Sequence, residues 1–264
     1  MLVVLLIVAL ASAVTADGRL FEIVSQEELS TEGYAEEPSL AADGRGRVWA
    51  SWLTRDKGGV EHVWVSVNDG RWSTPIRVTP DDAAREWPRI ACGPTGGPMV
   101  VWVRICGGRW LLESSAYSNG AFGKPVRVVS DSGKAANPAL TASEDGGFWL
   151  AWESYEKGRF RICLSAFKHG RWHRPVDVTD GSANAYQPAV ASDPSSHRVW
   201  VAYSQVDNKS ERAILLRCLD AQTNKLGPPI EIALGGKPRN APNRNDYPSV
   251  LCDQSGAVWV AYEQ

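Results

Sequence analysis

The residues best equipped for chemistry in this chain stand directly before a series of prolines. They are Glu37, Glu86 with Trp87, Asn137, Tyr186 with Gln187, and Asp246 with Tyr247, one or two positions ahead of Pro38, Pro88, Pro138, Pro188 and Pro248. Carboxylates, amides and aromatic rings gathered at one mouth can hold a sugar, by stacking on its faces and hydrogen bonding to its hydroxyls. The same residues can instead cap the ends of strands and do nothing else. Arg244, in the long polar segment from Gly235 to Tyr247, adds a cation suited to an anionic group or to solvent. Glu153 and Glu263, each following a strand aromatic, face either a channel or the surface. No GxSxG, HExxH, P-loop or dinucleotide fingerprint occurs. The four histidines are scattered and no CxxC is present, so neither a metal nor a cofactor is expected.

The prolines define what must position these residues. Four recur at intervals of fifty and the fifth follows after sixty, and a period in this range marks a solenoid, propeller or array. After each proline comes a strand of small side chains, as in Pro88-Arg-Ile-Ala-Cys92 and Pro188-Ala-Val-Ala-Ser192. A Gly/Asp turn follows, then an apolar run such as Val48-Trp49-Ala50-Ser51-Trp52 or Phe148-Trp149-Leu150-Ala151-Trp152. Continuous apolarity means burial on both faces. A third, alternating strand, a second tight turn (Asn68-Asp69-Gly70-Arg71-Trp72) and a Pro-initiated edge strand (Pro75-Ile-Arg-Val-Thr79) complete the unit. Four antiparallel strands per unit, each sheet covered on both faces, is the propeller pattern. The repeat proline is expected at the first residue of the inner strand. The long polar loops are expected on one face of the ring, with the tight glycine turns on the other.

The fold class is therefore all-β: a β-propeller over about residues 19–264, with repeats starting at 38, 88, 138, 188 and 248. Residues 19–25 (Leu20-Phe21-Glu22-Ile23-Val24 at their centre) match the fourth-strand pattern and are read as an outer strand closing the last blade. Four complete blades and two strands of a fifth then follow, an incomplete ring expected to continue past Gln264 into further blades or another domain. A compact five-bladed ring is the alternative. Residues 2–10 are apolar and residues 11–16 small, which reads as a signal peptide over 1–16 and an exported, periplasmic or extracellular, protein. The apolar run is too short to span a bilayer, so no membrane insertion is expected after its removal. With 28 basic against 30 acidic residues the net charge is −2, and nothing favours nucleic acid as a partner. Cys92 and Cys252 occupy a slot that holds Ala42, Ala142 and Ser192 elsewhere, which reads as a small core position with an unpaired thiol rather than a disulfide framework.

The segment Ser66-Val67-Asn68-Asp69-Gly70-Arg71-Trp72 resembles a shortened Asp-box, Ser-x-Asp-x-Gly-x-x-Trp. Ser165 through Gly170-Arg171-Trp172 resembles a second, and the chain is similar to the sialidase-like, BNR-repeat propeller superfamily. Asp-boxes are structural turns. The nearest counterpart of the first sialidase arginine motif is Trp87-Pro88-Arg89-Ile90-Ala91, with its proline displaced. What the resemblance implies is a non-catalytic recognition or scaffold propeller that binds glycan or protein through its polar loop face. The alternative is a sialidase-like glycoside hydrolase using the same loops.

Overall fold

The computed structural model describes Leu29 and residues 34–94, 97–129, 134–206, 211–233 and 245–263. The sequence readings on residues 1–28, Arg244 and most of the 235–247 loop lie outside these. Every regular element described is a strand. The first unit comprises β1 (Tyr34–Ala42), β2 (Val48–Arg55), β3 (Glu61–Asn68) and β4 (Ile76–Arg77). The second comprises β5 (Ala84–Cys92), β6 (Pro98–Cys106), β7 (Arg109–Ser118), β8 (Ala121–Phe122) and β9 (Val126–Arg127). The third holds β10 (Lys134–Ala142), β11 (Phe148–Glu156), β12 (Arg159–Lys168), β13 (Arg171–Trp172) and β14 (Val176–Asp177). The fourth holds β15 (Asn184–Ser192), β16 (Arg198–Val206), β17 (Arg212–Asp220), β18 (Lys225–Leu226) and β19 (Ile230–Ala233), and a fifth has β20 (Asp246–Cys252) and β21 (Val258–Glu263). Within each unit the strands pair antiparallel, in sequence order. A parallel bridge, Lys134 with Trp110, joins the second and third units into one sheet.

The proline does not start the inner strand. In the first four units the strand begins four residues earlier and runs through the proline. The register with the second strand shifts there, between Glu36 and Ser39, Glu86 and Arg89, Ala136 and Ala139, Tyr186 and Ala189, and Asp246 and Ser249. Proline has no N–H to give to a ladder, so it is tolerated where a bulge breaks the ladder. The residue before each proline takes a left-handed φ: 54° at Glu37, 52° at Trp87, 45° at Asn137, 53° at Gln187 and 51° at Tyr247.

The other strands follow their side chains. β2, β6, β11 and β16 are buried over most of their length, because the sheets of successive units pack on one another. Successive inner strands β1, β5, β10, β15 and β20 contact one another in that order, which suits their small side chains. The fourth strands are shorter than expected. β4 pairs over two residues, and then the ladder is carried on by Val78, whose N–H donates to the Val63 carbonyl, and by the Thr79 hydroxyl, which accepts from the Val63 N–H. Thr179 does the same for Ile162. The Asp-box-like turns are held by serine: Ser66, Ser115 and Ser165 donate to the carbonyls of Ser73, Gly123 and His173 at 2.7–2.8 Å. All five cysteines are free thiols, and burial pushes those of Cys92 and Cys163 up to about 12. Tight glycine turns occur at both ends of the sheets, since Gly59, Gly108 and Gly158 also turn the second strand into the third at φ of 72–81°.

Trp49 and Trp149 pack against the following unit, Trp49 beside Ile90 and Val100, Trp149 beside Val190 and Val201. Their counterpart Trp259 in β21 is 63% exposed, and Leu251 on β20 is 61% exposed. Both Trp49 and Trp259 donate their indole N–H to the turn aspartate six residues earlier, Asp43 and Asp253, so the two differ in packing and not in their hydrogen bond. Trp49→Ala is expected to cost about 3–5 kcal/mol, against less than about 0.5 kcal/mol for Trp259→Ala. Urea unfolding of the two variants decides this, and equal losses would contradict the packing assignment.

Candidate functional site

The bulge sets the direction of the site residues. Side chains alternate along a strand, and the extra residue at the break turns the pre-proline side chain inward. Trp87, Asn137, Gln187 and Tyr247 thereby line one cavity of about 580 Å3, floored by small or aliphatic residues such as Ala139, Ala189 and Ser249 from the same strands. The size is within the usual range for a small-molecule site. A non-glycine residue at positive φ costs roughly 1–3 kcal/mol, and such strain clusters at ligand sites. Here it recurs at the same position of five units.

The residue before each cavity residue points elsewhere, and this corrects the paired reading of the sequence. Tyr186 packs on Phe160 of the third unit at 5.2 Å between ring centroids, with the Arg212 guanidinium over it at 5.6 Å. Asp246 forms an ion pair with Arg212 and accepts from Ser204. Glu86 is half-buried beside Glu61 and Glu36, and burial raises its pKa, with those two carboxylates adding to the rise. None of the three lines the cavity. Glu37 stands behind the wall, its carboxylate accepting from the Trp87 backbone N–H. Burial pushes its pKa above the ordinary carboxylate value, opposed by that N–H and by the Arg89 cation. Arg244 lies outside the described residues.

Two contributors were not among the residues singled out before the prolines as site candidates. Arg89 lines the cavity two residues after Trp87. Its only hydrogen bond among the described residues is Nη1 to the Pro88 carbonyl at 2.9 Å, and burial depresses its pKa despite the facing Glu37. The corresponding positions hold Ser39, Ala139, Ala189 and Ser249, so the signal was present: one large cation in a slot otherwise reserved for small residues. Glu153 is the second. It is 3% exposed, and its Oε1 accepts from Asn137 Nδ2 and from the Gln187 backbone N–H, both at 2.7 Å. The Gln187 side chain passes the pattern on, Oε1 accepting from the Tyr247 N–H at 3.0 Å. The bulge frees a backbone N–H at each cavity residue, and side chains of the preceding unit satisfy it at Trp87, Gln187 and Tyr247. The capping and binding roles weighed for these residues are thus divided: Glu37 and Glu153 cap, Trp87 and Tyr247 are presented to the cavity, and Asn137 and Gln187 take part in both. Among the described residues, no three His, Cys, Asp or Glu side chains come together as a metal site.

No family model matches the chain, and no curated protein matches it. Solved structures do. A Hadza microbial sialidase aligns with a TM-score of 0.57 at 14% identity, over 86% of this chain and 52% of its own. An endo-arabinase from Bacteroides thetaiotaomicron aligns at 0.50 and 13%, over 86% and 88%. A xylan β-1,4-xylosidase from Bacillus halodurans aligns at 0.49 and 15%, over 88% and 49%. The chain spans about half the length of the sialidase and of the xylosidase. The fold is a β-propeller of the type found in glycoside hydrolases, with the sialidase likeness a loose structural relation.

Burial raises the pKa of Glu153, against the pull of the Gln187 N–H and the Asn137 amide. The folded chain therefore holds a proton that the unfolded chain releases, and stability falls as pH rises through the interval between the two values. Glu153→Gln keeps an oxygen acceptor and removes this titration. Its melting temperature is expected to gain on that of the parent as pH rises above the ordinary glutamate value of about 4.3. Parallel melting curves across that range would show that Glu153 is ionised at no such cost.

Proposed function

We propose that the cavity binds a carbohydrate and that the chain is the cavity-bearing part of an exported glycoside-hydrolase-type propeller. The observation that carries this is the lining itself: two aromatic rings, two amides and one guanidinium, drawn from four units and held on strained backbone. Rings stack on sugar faces, and amides and guanidinium take hydroxyl or carboxylate oxygens. Export rests on residues 1–16 as read from the sequence.

The named activities of the structural neighbours, a sialidase and an endo-arabinase, weigh for hydrolysis over a purely structural propeller. Glycoside hydrolysis generally needs two carboxyl groups, one of them protonated at working pH. Glu37 and Glu153 are the pair this site offers, both raised by burial and each one hydrogen bond from a cavity residue. In this reading Glu37 is the acid, since burial raises its pKa and Arg89 beside it favours the ionised form left after transfer. The lining carries no carboxylate, which favours the second reading, recognition without turnover.

Titration with xylo-, arabino- and manno-oligosaccharides, together with sialyllactose, tests the proposal. Tyr247 is 66% exposed, so Tyr247→Ala leaves packing intact. It is expected to weaken binding about tenfold, the worth of one stacked ring, and Trp87→Ala more. Binding indifferent to both would remove the cavity as the site. Release of reducing sugar that disappears in Glu37→Gln supports hydrolysis, whereas binding without release establishes recognition alone.

A further inference from the structure

The bulge N–H is capped by a side chain at Trp87, Gln187 and Tyr247, and not at Asn137. Glu37 accepts from the Trp87 N–H, Glu153 from the Gln187 N–H and the Gln187 side chain from the Tyr247 N–H. Asn137 stands at the same break in its ladder, with the same left-handed backbone. By the pattern of the first and fourth units its cap would come from position 87, where those units have Glu37 and Gln187. The second unit has tryptophan there, and an indole carries a donor and no acceptor. Asn137 makes its side-chain hydrogen bond through its own amide, to Glu153 Oε1 at 2.7 Å. Among the described residues, no side chain accepts from its N–H.

At this same seam the second unit places Arg89. Its position faces the following inner strand: the counterpart Ser39 accepts from the Ile90 N–H at 3.2 Å across the first seam, and β5 is in contact with β10. Arg89 and Asn137 line the same cavity. The guanidinium gives one N–H to the Pro88 carbonyl, which leaves the rest of its fork of donors without a protein acceptor among the described residues. Burial depresses its pKa, so the cation is partly stripped of water. No carboxylate lines the cavity to pair with it, and Glu37 behind the wall is engaged with the Trp87 N–H. A guanidinium short of acceptors and an uncapped backbone N–H are together complementary to one planar oxyanion.

Resting on the carbohydrate reading of the cavity, we infer that its ligand is a uronate, a sugar whose carboxylate accepts from Arg89 through one oxygen and from the Asn137 N–H through the other. The ligand carboxylate then takes the part that Glu37 and Glu153 play at their own seams. The rings select the kind of acid. A pyranuronate carries its carboxylate at the edge of the sugar ring and leaves the faces free for Trp87 and Tyr247 to stack on. An α-sialoside carries its carboxylate axially, on one face.

The experiment is calorimetric titration of the protein with disaccharides ending in glucuronate or galacturonate, set against the neutral disaccharides of the same linkage, their sulfated forms and sialyllactose. The uronates are expected to bind about tenfold more tightly than the neutral sugars, the worth of one charge-assisted hydrogen bond. Arg89→Met is expected to remove most of that preference. Trp87→Glu gives the second unit the carboxylate cap of the first, whereas Trp87→Leu removes the ring alone. Both are expected to weaken binding, and only Trp87→Glu to erase the preference for uronate as well. A preference that survives in Arg89→Met or Trp87→Glu, or that is lost equally in Trp87→Leu, overturns the carboxylate site. Equal affinity for uronate and neutral sugars, or tighter binding of the sulfated or sialylated ones, overturns the uronate while leaving the cavity as a carbohydrate site. No binding in any series overturns the carbohydrate reading and this inference with it.

Discussion

The structure depends on a break in one hydrogen-bonded ladder, repeated five times. Each inner strand would run as a plain antiparallel partner of the second strand if a proline did not interrupt it. The proline, with no N–H to give, sits where the ladder bulges, and the residue before it takes a positive φ. For tryptophan, glutamine and tyrosine this is an unfavourable conformation, tolerated because strands on both sides over-determine it. The outcome is directional. In four units the side chain before the proline lines a shared cavity, and at Tyr186 and Asp246 the next one back turns into a seam.

That geometry ties the joining of the units and the lining of the cavity to the same residues. A bulge leaves backbone N–H groups without ladder partners, and buried N–H groups must be satisfied. Glu37, Glu153 and Gln187 accept them from the neighbouring unit, so the units are joined by hydrogen bonds at the rim of the cavity as well as by the apolar packing between sheets. Two of these acceptors are carboxylates held at low exposure, with pKa values raised by burial. The groups that close the seams are thus the ones whose protonation is displaced toward neutrality.

The Asp-box-like turns have a different place. They lie between the third strand and the outer edge, stitched by Ser66, Ser115 and Ser165. They set the spacing of the fourth strands and contribute nothing to the cavity, so the motif that most resembles the sialidase superfamily speaks to architecture. What sets the second unit apart from the others is Arg89, alone in a slot of small residues.

The all-β class and the order of strands within each unit were legible in the sequence. The reason is that they follow from local rules: alternation, turn residues and the spacing of proline. Proline's effect was only partly legible. The sequence shows that its N–H is missing, but whether a strand starts there or bulges there depends on whether the partner strand extends past it, which pairing in three dimensions decides. The same applies to the partners of the cavity residues. Tyr186 and Asp246 look equivalent to their neighbours Gln187 and Tyr247 along the chain, and only the bulge sends one of each pair into the seam against Phe160 or Arg212. Glu153 became a seam acceptor, and Arg89 a cavity cation, because the following and preceding units stand where they do. Sequence determined what each unit is; the packing of one unit on the next determined which of its side chains line the cavity.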